Sequence, residues 1–262
     1  MTERYQRQSF LGMDSQEAIE NTIIGFAGLG GGGSHIVQQS AHLGFKNYVL
    51  YDDDIVTETN LNRLIGARAL DVTASTPKLH LARMMILGLQ PDANINGFAC
   101  RWQDNPHPLR SCHIIFGCVE TYRGRLELEQ LSRRYLAHYI DIGMDVHGGP
   151  TIGGQVILSS PGGPCMRCVG FITDENITKE ANKYGDVGGR PQVVWPNGIL
   201  ASSAVGIAVD LVTGWTKSSS THLYRVYDGR QNTLEKPVQT PIPKICSHYD
   251  IESLGDPILE KL

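Results

Sequence analysis

The 262-residue chain lacks the marks of several large protein classes. Its 23 Lys and Arg are set against 27 Asp and Glu, a net charge of −4. That leaves no basic excess for nucleic acid or an anionic membrane surface, and neither partner is expected. The opening Met1-Thr2-Glu3-Arg4 has neither the basic nor the apolar region of a signal peptide. No apolar run reads as long enough to cross a bilayer. Six cysteines, one pair spaced C-x-x-C, suit metal or thiol chemistry in a reducing compartment better than a disulfide scaffold. A cytoplasmic location is the default. There is no internal repeat. The length suits one large α/β domain, or one with a small appendage, and 41% hydrophobic residues are enough to bury its core.

The informative stretch runs from Ile23 to Arg63. An apolar run, Ile23 to Ala27, breaks into Gly28-Leu29-Gly30-Gly31-Gly32-Gly33-Ser34. A helical pattern follows through Ile36, Val37, Ala41 and Leu43, then a second apolar run, Tyr48 to Tyr51, capped by Asp52-Asp53-Asp54. Strand, glycine turn, helix, strand and acid in that order fit a nucleotide site. Glycines let the backbone approach phosphate oxygens, and free N–H groups at the helix start bind the anion. A carboxylate roughly twenty residues on can bond the ribose hydroxyls. The bland reading is a glycine-rich turn without a ligand.

Further along, Glu3 to Glu20 is polar and helical in pattern. Thr76-Pro77-Lys78 starts a helix carrying Leu79, Ala82, Met85, Ile86 and Leu89 at helical spacing. Strands are predicted over Ile95–Ala99, Ile114–Gly117, Tyr139–Gly143 and Gln155–Leu158, with a helix over Leu126–Leu136. Residues Thr173 to Arg190 read as a polar, mobile loop. A long apolar helix runs from Pro196-Asn197-Gly198 to Gly214, and Tyr224–Asp228 with Thr233-Leu234 form an antiparallel pair. The alternation predicts a doubly wound, mostly parallel Rossmann-like α/β sheet with antiparallel strands toward the C-terminus, its ligands at the strand C-terminal ends.

Arg7, the glycine loop, Asp52, Asp54, Asn60, Arg63, Lys78, Glu120 and Arg125 mostly fall at strand ends or helix starts, where one crevice could gather them. Several cations and acids around a nucleotide suit phosphoryl chemistry, with cations on a triphosphate and a carboxylate on Mg²⁺. This set, in this order, resembles the ThiF/MoeB/HesA family, prokaryotic relatives of ubiquitin-activating enzymes. Residues 4–8 resemble its R-Y-x-R-Q, Gly28–Gly33 its G-x-G-G-x-G, Asp52–Asp54 its D-x-D, Asn60–Arg63 its N-L-x-R, and Pro77-Lys78 its P-K.

The resemblance implies ATP-dependent adenylation of the C-terminal glycine carboxylate of a small ubiquitin-like or sulfur-carrier protein by a homodimer. Asp52 would bond the ribose, with Asp54 supporting the loop or the metal. The backbone of Gly28, Gly30, Gly31 and Gly33 would underlie the phosphates. Asn60, Arg63 and Lys78 would contact the triphosphate, and Arg7 would act from the neighbouring subunit. Residues 1–262 would form one adenylation domain: a nucleotide-binding half of about 1–145, a carrier-binding half of about 146–245, and a tail. Each assignment has a rival. Arg7 could be a solvated helix face, Asn60 a helix cap, and Asp53 plain surface. Lys78 near a helix start is disfavoured without an anion to meet.

The pattern departs from the family in three places. Where D-x-x-D-N is usual, the chain reads Gly117-Cys118-Val119-Glu120-Thr121, so Glu120 becomes the candidate Mg²⁺ ligand, followed by the matching Arg125. The loop Asp186–Asn197 has no cysteine for a covalent intermediate, and Cys118 reads as a small core residue. Cys165 and Cys168 match half of a structural zinc site, while the other half offers only Cys246 and His248, a set that tetrahedral zinc accepts. Two rivals stay open: a nicotinamide-dependent oxidoreductase on the same glycine turn, and a non-catalytic partner that binds nucleotide or a ubiquitin-like protein. Action on a peptide or a tRNA base is a narrower alternative.

Overall fold

The computed structural model describes residues 3–147, 151–182, 192–217, 222–237, 242–243, 245–249 and 255. The strands are β1 (Ile23–Ala27), β2 (Asn47–Tyr51), β3 (Asn94–Phe98), β4 (Ile114–Gly117), β5 (His138–His147), β6 (Thr151–Ser159), β7 (His222–Asp228) and β8 (Thr233–Glu235). They form one eight-stranded sheet in the order β3-β2-β1-β4-β5-β6-β7-β8. From β3 to β5 every pairing is parallel, and from β5 to β8 every pairing is antiparallel. The α-helices are α1 (Ser15–Asn21), α2 (Gly31–Leu43), α3 (Ala69–Thr73), α4 (Lys78–Leu89), α5 (Tyr122–Arg134), α6 (Asp174–Asn182) and α7 (Val194–Thr213).

Alternation along the strands builds a core on each face. Ile24, Phe26, Ile114, Phe116, Ile140 and Ile142 point to the face covered by α2 and α7. Ala27, Ile115, Tyr139 and Ile157 point to the face covered by Leu128 of α5 and by Met166 and Val169. Parallel strands covered on both sides read as continuous apolar runs, which is why the sequence reveals them. α7 has 20 residues, with a mean hydropathy of 1.3 in its most apolar window. By length and composition it could cross a bilayer, contrary to the sequence expectation. Here it packs on α2, β5 and β6 and buries Leu200, Ala201, Ala204 and Val205.

Three segments differ from the sequence reading. Glu3–Leu11 is a 3₁₀ helix separated from α1 by Gly12, whose φ of +118° interrupts the helical pattern expected through Glu20. α5 begins at Tyr122, a turn before the first expected residue, because Thr121 caps it: its hydroxyl accepts the Gly124 N–H at 3.0 Å. The loop expected from Thr173 is a helix, α6, as far as Asn182; residues 183–191 lie outside the described residues. α6 is held by Glu180, whose carboxylate accepts the Tyr122 and Arg123 N–H groups at 2.9 and 3.2 Å. An acid there also favours the positive end of α5.

β1 and β4 are neighbours, but the chain leaves them in opposite directions along the sheet, β1 toward β2 and β4 toward β5. A crevice opens at such a reversal, outside the strand C-terminal ends. The turn after β1 needs glycine at two places. Gly28 has φ +95°, and a Cβ there would stand 2.7 Å from the Cys118 carbonyl oxygen. A Cβ at Gly33 would stand 2.2 Å from the Gly28 carbonyl oxygen, so α2 starts hard against the turn that precedes it. Because backbone on both sides must give way, Gly33→Ala is expected to destabilise the fold by about 1–3 kcal/mol or more in chemical denaturation.

Candidate active site

α2 begins at Gly31 with no side-chain cap, and its first internal bond runs from the Ser34 N–H to the Gly30 carbonyl at 2.9 Å. The amides of Gly31, Gly32 and Gly33 therefore lack intrahelical acceptors at the positive end of a 13-residue helix. Gly30, Gly31 and Gly32 line the crevice. The uncapped helix start expected from the sequence is thus present in the fold.

The crevice has two lobes. One, under β2, is bordered by Gly28, Asp52, Asp53, Asp54, Trp102 and Gln103. The other, under β5, is bordered by Asn60, Arg63, Arg125, Gly143, Gln192 and Asn197. Lys78, Glu120, Gly30 and Cys118 border both. Of the residues singled out in the sequence for the nucleotide, all but Gly33 and Arg7 border the crevice. Gly33 supports it from behind. Arg7 is exposed and borders neither lobe.

Asp52 ties the glycine turn to β2: Oδ2 accepts the Leu29 N–H at 2.7 Å and Oδ1 the Asp54 N–H at 3.0 Å. Burial pushes its pKa up, while Lys78 and these two N–H groups pull it down without cancelling the rise. Lys78 does have an anion to meet: Nζ bonds Asp54 Oδ2 at 2.6 Å. That pair answers the electrostatic objection to a lysine at a helix start and keeps the ammonium at the junction of the lobes. The Asn60 side chain accepts the Thr57 N–H at 3.0 Å, so it is a local cap as well as a crevice residue. Arg63 donates to the Thr59 carbonyl and, at 3.1 Å, to Asn62 Oδ1. No side chain among the described residues bonds Glu120, an exposed carboxylate at the start of α5.

Arg125 is buried rather than free. Nη1 donates to Asp141 Oδ1, and to the Ile142 carbonyl at 3.2 Å. Burial works most strongly against its charge, but the Asp141 carboxylate together with Tyr139 and Cys118 outweighs it and moves its pKa up. Asp53, read as plain surface, borders the β2 lobe. Cys118 packs on the core and also borders both lobes. Burial raises its thiol pKa well above the ordinary range, which disfavours the thiolate. Cys112 is buried, with its thiol pushed up to about 12. Asn197, Gln192 and Trp102 border the crevice, and Asp141 lies behind it against Arg125; sequence reasoning singled out none of them. Asp141 had a signal: an acid between Ile140 and Ile142 in an apolar strand needs a buried cation.

A second cluster lies apart from the crevice. The ligand atoms of Cys165, Cys168, Cys246 and His248 all lie within 4.8 Å of one another. Cys168 Sγ is 3.6 Å from both Cys165 Sγ and Cys246 Sγ, too far for a disulfide. His248 Nδ1 is 3.4 Å from Cys168 Sγ and 3.5 Å from Cys165 Sγ. Tetrahedral bonds of about 2.3 Å to sulfur and about 2.0–2.1 Å to nitrogen give edges of about 3.8 and about 3.6 Å, so the set fits a metal ion. A buried network holds the knuckle. Glu129 Oε1 accepts the Met166 N–H at 2.8 Å, and Tyr249 OH donates to Oε2 at 3.3 Å. Arg133 Nη2 donates to the Gly163 and Pro164 carbonyls, both at 3.0 Å.

The raised pKa of Asp52 has a definite sign. A carboxyl whose pKa is higher folded than unfolded stabilises most below its unfolded pKa and costs stability as pH rises through the folded value. Asp52→Asn keeps one acceptor oxygen and removes the buried charge. It is expected to raise the melting temperature at pH 7, with the gain vanishing below about pH 4, while weakening nucleotide binding. Melting scans at both pH values, with and without ATP, check it.

Among proteins similar to this chain is the SAMP-activating enzyme E1 of Haloferax volcanii, 28% identical over 173 residues, 64% of this chain and 61% of that enzyme. The chain thus spans less than two thirds of that relative's length. The molybdopterin-synthase adenylyltransferase of Escherichia coli is 26% identical over 225 residues, 83% of this chain and 84% of that enzyme. Among solved structures, E. coli MccB with ATP superposes with a TM-score of 0.72 at 17% identity, covering 90% of this chain and 73% of MccB. MccB in complex with N-formylated MccA gives 0.75 at 16% identity, covering 92% and 73%. These superpositions show a shared fold. The ThiF family matches residues 3–246, nearly the whole chain, and the chain belongs to that family.

Proposed function

We propose that this chain adenylates the C-terminal carboxylate of a small ubiquitin-like or sulfur-carrier protein, using ATP and releasing pyrophosphate. One observation carries the reading. An uncapped helix start, two cations (Arg63, Lys78) and three acids (Asp52, Asp54, Glu120), drawn from separate segments, border a single crevice at the strand reversal. Relatives named as adenylyltransferases and as a SAMP-activating enzyme support it. We read residues 1–262 as one adenylation domain acting as a homodimer, in which the exposed Arg7 reaches a neighbouring crevice.

The β2 lobe takes the nucleoside, with Asp52 on the ribose hydroxyls. The triphosphate lies over the bare amides of Gly31 to Gly33, where Arg63 and Lys78 offset its charge. A carboxylate oxygen of the carrier attacks the α-phosphorus from the β5 side. The bond from that phosphorus to the bridging oxygen breaks, pyrophosphate leaves with the electron pair, and an acyl adenylate forms. No proton need move. Lys78, at the junction of the lobes, meets the charge that builds on the phosphoryl oxygens. Holding carboxylate and phosphorus in line supplies much of the rest. Glu120 would hold Mg²⁺, which neutralises phosphate charge when bound.

ATP–pyrophosphate exchange dependent on a carrier ending in Gly-Gly tests the reading. Lys78→Ala is expected to lower exchange about 10²–10³-fold, with stability changed by less than about 1 kcal/mol because Asp54 is largely exposed. Nucleotide binding without exchange in the wild type would favour a non-catalytic partner; NAD reduction would favour an oxidoreductase.

We assign zinc to Cys165, Cys168, Cys246 and His248, away from the chemistry. Elemental analysis should find one zinc per chain, and stripping it should lower stability by several kcal/mol without altering ATP affinity at low temperature. A metal-free protein of unchanged stability refutes the assignment.

A further inference from the structure

Asp141 is fully buried in the stretch of β5 that pairs on both sides. A carboxylate in such a place survives only with its charge and lone pairs satisfied. Besides Arg125 Nη1 on Oδ1, the Tyr139 hydroxyl donates to Oδ2 at 2.9 Å. Gln155, with its amide oriented to satisfy both ends, donates to the Gly143 carbonyl at 3.0 Å and accepts from Arg125 Nη1 at 3.3 Å. Nη1 is therefore committed to the protein. Nη2 has no hydrogen-bond partner among the described residues and lies 2.6 Å from where a Gly143 Cβ would stand. Gly143 and Arg125 both border the β5 lobe, and the Phe171 ring centroid is 5.9 Å from the guanidinium carbon.

We propose that Asp141 is a positioning residue that locks Arg125 so that Nη2, over the bare Cα of Gly143, receives the carboxylate of the acyl substrate. The nature of that substrate rests on the adenylation reading. The placement separates this role from phosphate binding. Asp52 sits in the other lobe, with the glycine turn between it and Arg125, so an anion entering over Gly143 arrives from the side opposite the nucleoside. A guanidinium already fixed by Asp141 and Gln155 loses little side-chain freedom when it donates to a second oxyanion. The missing Cβ at Gly143 is what makes room for that nitrogen and the Gln155 amide beside the strand.

The test uses the full chain and a short synthetic peptide ending in Gly-Gly, as the free acid and as the C-terminal amide, with a non-hydrolysable ATP analogue present. The acid should bind at least tenfold tighter than the amide and shift the Arg125 Nε resonance. Asp141→Asn should abolish that preference while leaving affinity for the ATP analogue within about twofold. Because a lone buried arginine can prevent folding, Gly143→Ala provides the second variant: it leaves the Asp141 carboxylate in place, its Cβ would stand 2.3 Å from the Gln155 amide, 2.6 Å from Nη2 and 3.0 Å from Nη1, and by crowding the held guanidinium it should likewise remove the preference for the acid. Acid and amide binding equally well, or a preference that survives Gly143→Ala, overturns the proposal. So does a loss of affinity for the ATP analogue in place of the peptide, which would put Arg125 on the phosphate. A protein that shows the acid preference but no pyrophosphate exchange keeps this carboxylate site and refutes adenylation.

Discussion

The start of α2 is the constraint on which the rest depends. It lies hard against the turn before it because Gly33 has no Cβ to meet the Gly28 carbonyl, and that turn lies against the end of β4 because Gly28 has no Cβ to meet the Cys118 carbonyl. This packing delivers three unpartnered amides to the point where the sheet reverses. Around that positive end, the acids of the β2 tip and the cations of the following loop and α4 form a charge pattern that is nearly self-neutralising. Lys78 rests on Asp54, and Asp52 rests on the turn itself. These contacts hold the charged side chains in fixed places around the helix start, which is where positioning draws its effect.

What could be read from the sequence was local. The glycine turn, the acidic tip, Asn60 to Arg63 and Pro77-Lys78 each announce themselves within a few residues, because each is a turn or a helix start with its own chemistry. The parallel strands were legible from their apolar runs. What stayed hidden depends on register across the sheet. Nothing near Arg125 in sequence says that Asp141 is its partner; that follows from β5 lying beside β4 with Asp141 opposite Gly117. Asn197 likewise reaches the glycine turn only because α7 packs across α2. α6 was missed because it is short and mostly polar, with Ile177 and Ala181 its only apolar residues, and because its docking joins Ile177 on the core to Glu180 at the start of another helix.

The cysteine cluster shows the opposite balance. Its spacing departs from paired C-x-x-C motifs, so the sequence alone leaves the second half of the set undefined. The fold brings Cys246 and His248 to the first pair at distances that suit tetrahedral coordination. The same region holds a buried Glu129 and Arg133 that bond the backbone around Cys165 and meet Tyr249, whose ring lies 4.8 Å beneath the guanidinium carbon. α5 therefore links the knuckle at one end to Thr121 and the crevice at the other.

β5 is one unbroken ten-residue strand common to both parts of the sheet. Its first residues are bonded to β4 on one side and β6 on the other, and its last continue with β6 past the end of β4. Enzymes that grip a substrate between two lobes bend at a linker, and no linker separates these parts. The two lobes of the crevice are tied to one common rail, so the distance between them is set when the chain folds, and in the proposed reaction a reacting tail would be threaded into place instead of clamped.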